Sequence, residues 1–109
     1  MTKSTQYVVT HELDSTGLKH CCLVTNNYNE AVGYIEKSIH ERQRDIRNNN
    51  LYNEANGNEK DNEKITDISR FGYVEGDYAQ VWTITIEFRG KVEHEYFYLY
   101  YYDKEEGKQ

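Results

Sequence analysis

The sequence predicts an α+β fold: one helix packed on one face of an antiparallel sheet of about five strands, in the order ββαβββ. Three observations carry this. Five short segments rich in β-branched and aromatic residues are separated by Gly, Asn and Asp turn signals. One stretch alone has a 3.6-residue apolar period. With a single helix available, only one face of the sheet receives a cover. At 109 residues the chain fits one domain, 1–109.

The elements follow in order. Residues 6–13, QYVVTHEL, and 18–25, LKHCCLVT, read as strands joined at Asp14-Ser15-Thr16-Gly17, which is turn chemistry. Asn27 is a helix N-cap, and Glu30 three residues on completes a variant capping box. Tyr28, Ala31, Val32, Ile35, Ile39 and Ile46 then form one apolar stripe, so a helix is expected over 28–47, ended by Asn48-Asn49-Asn50. Residues 48–64 are Asn-rich and acidic with almost no apolar groups, and are expected to form a mobile polar loop. Residues 65–74 read as a third strand, bulged at Gly72, followed by a turn at Glu75-Gly76-Asp77. In 79–88, AQVWTITIEF, Trp82, Ile84, Ile86 and Phe88 alternate with Val81, Thr83, Thr85 and Glu87, which predicts a half-buried strand with the first set inside. Residues 92–102 are the fifth strand, and 103–109 a charged tail.

The formal net charge is −6, and it is uneven. Residues 1–50 carry six acids and six bases, 51–70 five and three, and 71–109 eight and four, giving 0, −2 and −4. This argues against direct nucleic-acid binding, which needs a basic footprint. The segment Phe71-Gly72-Tyr73-Val74 has the look of an RNA-recognition strand, but Glu75 and Asp77 beside it repel phosphates. MTKSTQYVVTHE contains no signal-peptide apolar run, no stretch approaches the roughly 20 apolar residues of a membrane span, and Cys21 and Cys22 are adjacent, so a cytoplasmic protein without a membrane partner is expected.

Catalytic and metal chemistry find little support. His11, His20 and Cys22 are the residues a hairpin could gather, but no C-x₂-C or H-x₃-H spacing is present. Neither cysteine sits in a sequence context that would make it a nucleophile. No catalytic residue, metal or cofactor is expected.

The informative stretch is EYFYLYYYDKEE, from Glu95 to Glu106, where five tyrosines and a phenylalanine fall within seven residues. Two registers are open. A two-residue turn at Arg89-Gly90 sets Phe88 opposite Lys91 and Trp82 opposite Phe97, placing Phe97, Leu99 and Tyr101 inward and Tyr96, Tyr98 and Tyr100 outward. A three-residue turn exchanges the faces and turns Glu93, Glu95, Phe97 and Leu99 outward. Gly90 at the second turn position favours the first. Either way the uncovered face carries aromatic or apolar area near acid, the mark of an interaction surface. The candidate partner-binding residues are Glu75, Asp77, Glu87, Glu93, Glu95, Tyr96, Tyr98, Tyr100 and Asp103.

In size, acidity, Asn and Tyr content and layout, the chain resembles the small α+β proteins encoded by bacteriophages and mobile elements of low-GC bacteria, among them anti-CRISPR and anti-restriction inhibitors. The resemblance implies a stoichiometric inhibitor whose partner is a bacterial protein with a basic nucleic-acid-binding groove. Carboxylates on a rigid sheet are suited to such a groove, and long-range attraction speeds the encounter. The same aromatic face also suits self-association, so a homodimer is the alternative expectation.

Overall fold

A computed structural model describes residues 2–72 and 78–106, with side chains at 5–72 and 80–103. The strands are β1 (Thr2–Leu13), β2 (Lys19–Thr25), β3 (Glu63–Phe71), β4 (Tyr78–Phe88) and β5 (Lys91–Glu106). The one α-helix among the described residues, α1 (Tyr28–Ala55), lies between β2 and β3 in the chain. All strand pairs are antiparallel, in the spatial order β2-β1-β5-β4-β3. The fold is α+β, as the patterning predicts. The last strand in sequence occupies the middle of the sheet.

One side chain caps the start of α1. Asn27 Oδ1 accepts from the Glu30 backbone N–H at 3.1 Å, which satisfies one of the helix's orphan donors. The helix buries Ala31, Ile35, Ile39 and Ile46 against Val9, Trp82, Ile84, Ile86, Phe97 and Leu99 of the sheet. Tyr28 is more open than the stripe implied, but its ring still meets Tyr7 edge-on at 5.5 Å.

Three expectations need correction. Residues 48–64 are not a loop: α1 runs 28 residues, through Asn48-Asn49-Asn50 to Ala55, and a 3₁₀ turn at Glu59–Asp61 leads directly into β3. The helix stops where Gly57 takes φ +72°, with its N–H bonded to Glu54 O and that of Asn58 to Asn53 O at 2.7 Å. Asn50 acts as a clamp. Its side chain donates to Glu63 O at 2.7 Å and accepts from Glu63 N at 3.0 Å, occupying the first free-edge backbone groups of β3. Asn50→Ala should cost about 1–3 kcal/mol for the two bonds, with faster hydrogen exchange at the Glu63 amide as the readout. Second, the irregularity of β3 falls between Ile65 and Asp67, not at Gly72, which lies beyond the strand's end. Third, Asp103 does not begin a tail. β5 continues to Glu106 because β1 starts at Thr2, and the ladder closes from Leu13↔Glu95 to Thr2↔Glu106. Gly107, Lys108 and Gln109, like the expected turn at Glu75-Gly76-Asp77, lie outside the described residues.

The long β1–β5 ribbon makes the molecule elongated. Its radius of gyration is 17.4 Å, against about 13 Å for a compact domain of this length.

The final hairpin has the two-residue turn. Phe88 pairs with Lys91 and Trp82 with Phe97, and both turn residues have positive φ, 51° at Arg89 and 76° at Gly90. This is the primed turn that matches strand twist. A Cβ added at Gly90 meets nothing within 4 Å, so Gly90→Ala isolates the conformational cost. It should lower stability by about 1–2 kcal/mol in urea titration.

Candidate protein-interaction surface

The two-residue turn decides which side chains face which way. Phe97 and Leu99 point under α1, whereas Tyr101, expected in the core with them, is 48% exposed, and His94, Tyr96, Tyr98 and Tyr100 line up on the opposite face, along the central strand. Successive ring centroids are 6.0, 5.9 and 6.0 Å apart, with interplanar angles of 18°, 26° and 29°. Alternate residues of a strand lie about 6.6–6.8 Å apart, so near-parallel rings at this spacing stand upright on the sheet. Each ring covers its neighbour's face, and the exposed features are ring edges and hydroxyls. Bases and sugars stack on open ring faces, and the interior of this ladder presents none.

β1 and β4 flank the ladder. The register places Val8, Thr10 and Glu12 on one side and Val81, Thr83, Thr85 and Glu87 on the other. Farther out are Val24 on β2 and Phe71 on β3, 51% and 57% exposed. The Lys19 ammonium reaches in from β2, 2.7 Å from Tyr100 Oη and 4.6 Å from the Tyr98 ring centroid. At 5.4 Å from the Tyr100 centroid it lies beyond that ring's hydroxyl, so the Tyr100 contact is a hydrogen bond and the Tyr98 contact the π interaction.

The acids are distributed differently from expectation. Of the predicted carboxylates, Glu87 shares the ladder's face, directly opposite Lys64 in the pairing. Glu93, Glu95 and Asp103 alternate with the tyrosines and so belong to the other face. In the register that turns Tyr96 outward, Glu95 must turn inward. Glu95 is 6% exposed, with Arg42 Nε at 2.7 Å and His11 Nε2 at 3.1 Å. Asp103 accepts from Thr5 Oγ1 at 2.9 Å. Glu75 and Asp77 lie outside the described residues. The acids the structure does bring to the ladder are Glu12, opposite Tyr96, Asp67, opposite Thr85, and Asp14, whose Oδ2 is 3.4 Å from His94 Nδ1. Burial pushes the Tyr96 phenol above its ordinary pKa, and the negative charges of Asp14 and Glu12 add to the shift. Tyr96 thus remains a neutral hydroxyl.

His11 is turned inward to Glu95, with its ring centroid 4.6 Å from that of Phe97. Among the described residues no group of three His, Cys, Asp or Glu side chains is placed to hold a metal ion. Cys21 is exposed and Cys22 half-buried. A groove of about 280 Å³ lies on the helix side, between α1 and β3, where the Arg70 guanidinium covers the Trp82 ring at 4.5 Å. No described helix is long and apolar enough to cross a membrane. No family model, curated protein or solved structure matches the chain.

Proposed function

We propose that the protein is a non-enzymatic, phage-encoded inhibitor that docks the tyrosine ladder onto a bacterial nucleic-acid-handling effector or nuclease in the host cytoplasm. The observation that carries this reading is the ladder itself: His94, Tyr96, Tyr98 and Tyr100, aligned on the sheet face opposite the helix. Upright phenols supply large contact area at low entropic cost, with hydroxyls ready for a partner's polar groups. Glu12, Asp14, Asp67 and Glu87 around them favour a basic partner surface. The carboxylates that support mimicry of phosphates are therefore these four, in place of Glu93, Glu95 and Asp103.

The reading is tested on purified bacterial restriction nucleases and CRISPR effectors. Adding one equivalent of the protein should abolish nucleic-acid cleavage by one of them, Tyr98→Ala should restore cleavage, and inhibition should weaken at high salt. A panel in which no member is inhibited would overturn the reading.

A homodimer through the same face is the second reading, favoured by the apolar rim of Val24, Phe71 and Val92, which are 51%, 57% and 57% exposed. Sedimentation separates the two. A concentration-dependent dimer abolished by Phe71→Ser supports the second, and a strict monomer removes it.

A further inference from the structure

The ladder is polarised along its length. At one end, Tyr98 and Tyr100 already hold the chain's own Lys19 ammonium, 2.7 Å from Tyr100 Oη. The other end, Tyr96 and His94, is bordered by carboxylates. Glu12 is directly opposite Tyr96, Asp14 reaches His94, and Asp67 lies across Thr85 from His94. Lys19 is the strand partner of Glu12, yet it leans away to the tyrosines, and Glu12 makes no ion pair among the described residues. Asp14 keeps half of its side-chain surface in water, 53%, so one carboxylate oxygen remains open beside its contact to His94. Burial is the main cause of the raised Tyr96 phenol, and the negative charges of Asp14 and Glu12 add to it, in keeping with the geometry.

We infer that this end of the ladder seats an arginine side chain of the partner protein, its guanidinium held between the carboxylates of Glu12 and Asp14 and donating to Tyr96 Oη. The inference rests on the docking role given to the ladder above and names the chemistry of the partner. The contact repeats what Lys19 does at Tyr100, where a cation lies at the edge of an upright ring and donates to its hydroxyl oxygen. Two carboxylates with a phenol oxygen suit the planar fork of guanidinium better than a compact ammonium. A partner's arginine here and Lys19 at the far end would bracket the ladder with positive charge at both ends.

The test is a titration of the isotope-labelled protein with the peptide Arg-Gly-Arg-Gly-Arg-Gly, amidated, followed by amide chemical shifts. Its lysine and glutamate counterparts are the comparisons. The arginine peptide should shift Glu12, Asp14, His94 and Tyr96 and bind more tightly than the lysine peptide. Glu12→Gln with Asp14→Asn removes both charge-assisted contacts and should weaken it by at least about tenfold. Tyr96→Phe, which keeps the stack and removes the hydroxyl, should weaken it several-fold. Shifts gathered on α1, binding indifferent to the double substitution, or no saturation at millimolar peptide would overturn the inference. The two failures are separable. An inhibited nuclease with no arginine seat removes this inference alone, whereas a working seat with no inhibited nuclease removes the inhibitor reading alone.

Discussion

Arg42→Ala should destabilise the fold by about 3–5 kcal/mol, toward the lower end of that range, which is the cost of stranding a buried charge. The stranded group is Glu95. It lies on the central strand under the helix, 6% exposed, and its Oε2 accepts from Arg42 Nε at 2.7 Å while His11 approaches Oε1 at 3.1 Å. Arg42 keeps about a third of its side-chain surface in water, 34%, which softens the loss. Burial pushes the Glu95 carboxyl up, but the hydrogen bonds from His11 and Arg42 and their positive charges outweigh it and hold the group below its ordinary value. A depressed carboxylate contributes stability above its unfolded pKa of about 4.3, and that contribution is lost as pH falls through the folded value. In Arg42→Ala only His11 is left to oppose burial, so the gap between wild type and variant should be widest near neutrality and close below about pH 4. Urea titrations across that range measure it. Arg42→Met combined with Glu95→Leu should recover most of the loss, because an apolar pair of similar volume leaves no charge to desolvate.

The same residue shows where the sequence was legible and where it was not. The helix start, the apolar stripe and the turn at Arg89-Gly90 are local features, set by Asn27 with Glu30, by the spacing of Ala31, Ile35, Ile39 and Ile46, and by a glycine where φ must be positive. Alternation along β4 likewise separated Trp82, Ile84 and Ile86 from Thr83 and Thr85, but Phe88, expected inside, is 36% exposed at the strand's end, and Val81, expected outside, is buried. Pairings distant in sequence were not legible. β5 inserts between β1 and β4, so Glu12 reaches Tyr96 from 84 positions away, and no local signal assigns it there. Glu95 reads as a surface acid until Arg42 is known to descend on it from the helix. Asn48-Asn49-Asn50 reads as a helix stop by composition alone. In the fold, Ile46 is still packing on the sheet one turn before Asn50, and Asn50 spends its amide on the Glu63 backbone, so the helix continues to its glycine.

Leu99→Ala and Tyr98→Ala, neighbours on one strand, should fail in opposite ways. Leu99 is fully buried at 0% exposure, paired with Val9 on one side and Gln80 on the other, beneath the helix. Removing its side chain leaves a cavity in the centre of the core between helix and sheet, at an expected cost of about 2–5 kcal/mol, up to half the stability of a typical domain. Tyr98 points to the other face. Its loss removes two stacked ring contacts, to Tyr96 and Tyr100, and the Lys19 contact, but opens no enclosed cavity. Its stability cost should therefore stay at about 1–2 kcal/mol, while its cost to partner binding should reach at least about 2 kcal/mol, or roughly thirtyfold, the scale of a central tyrosine hot spot. Tyr98→Thr separates the effects further, since a β-branched residue suits the pleated surface and should give back part of the stability but none of the binding. The two faces of β5 thus make a direct comparison. One face should register in denaturant titrations and the other in complex formation. If Tyr98→Ala unfolded the domain as Leu99→Ala does, the ladder would be part of the core and its role as a docking surface would fall.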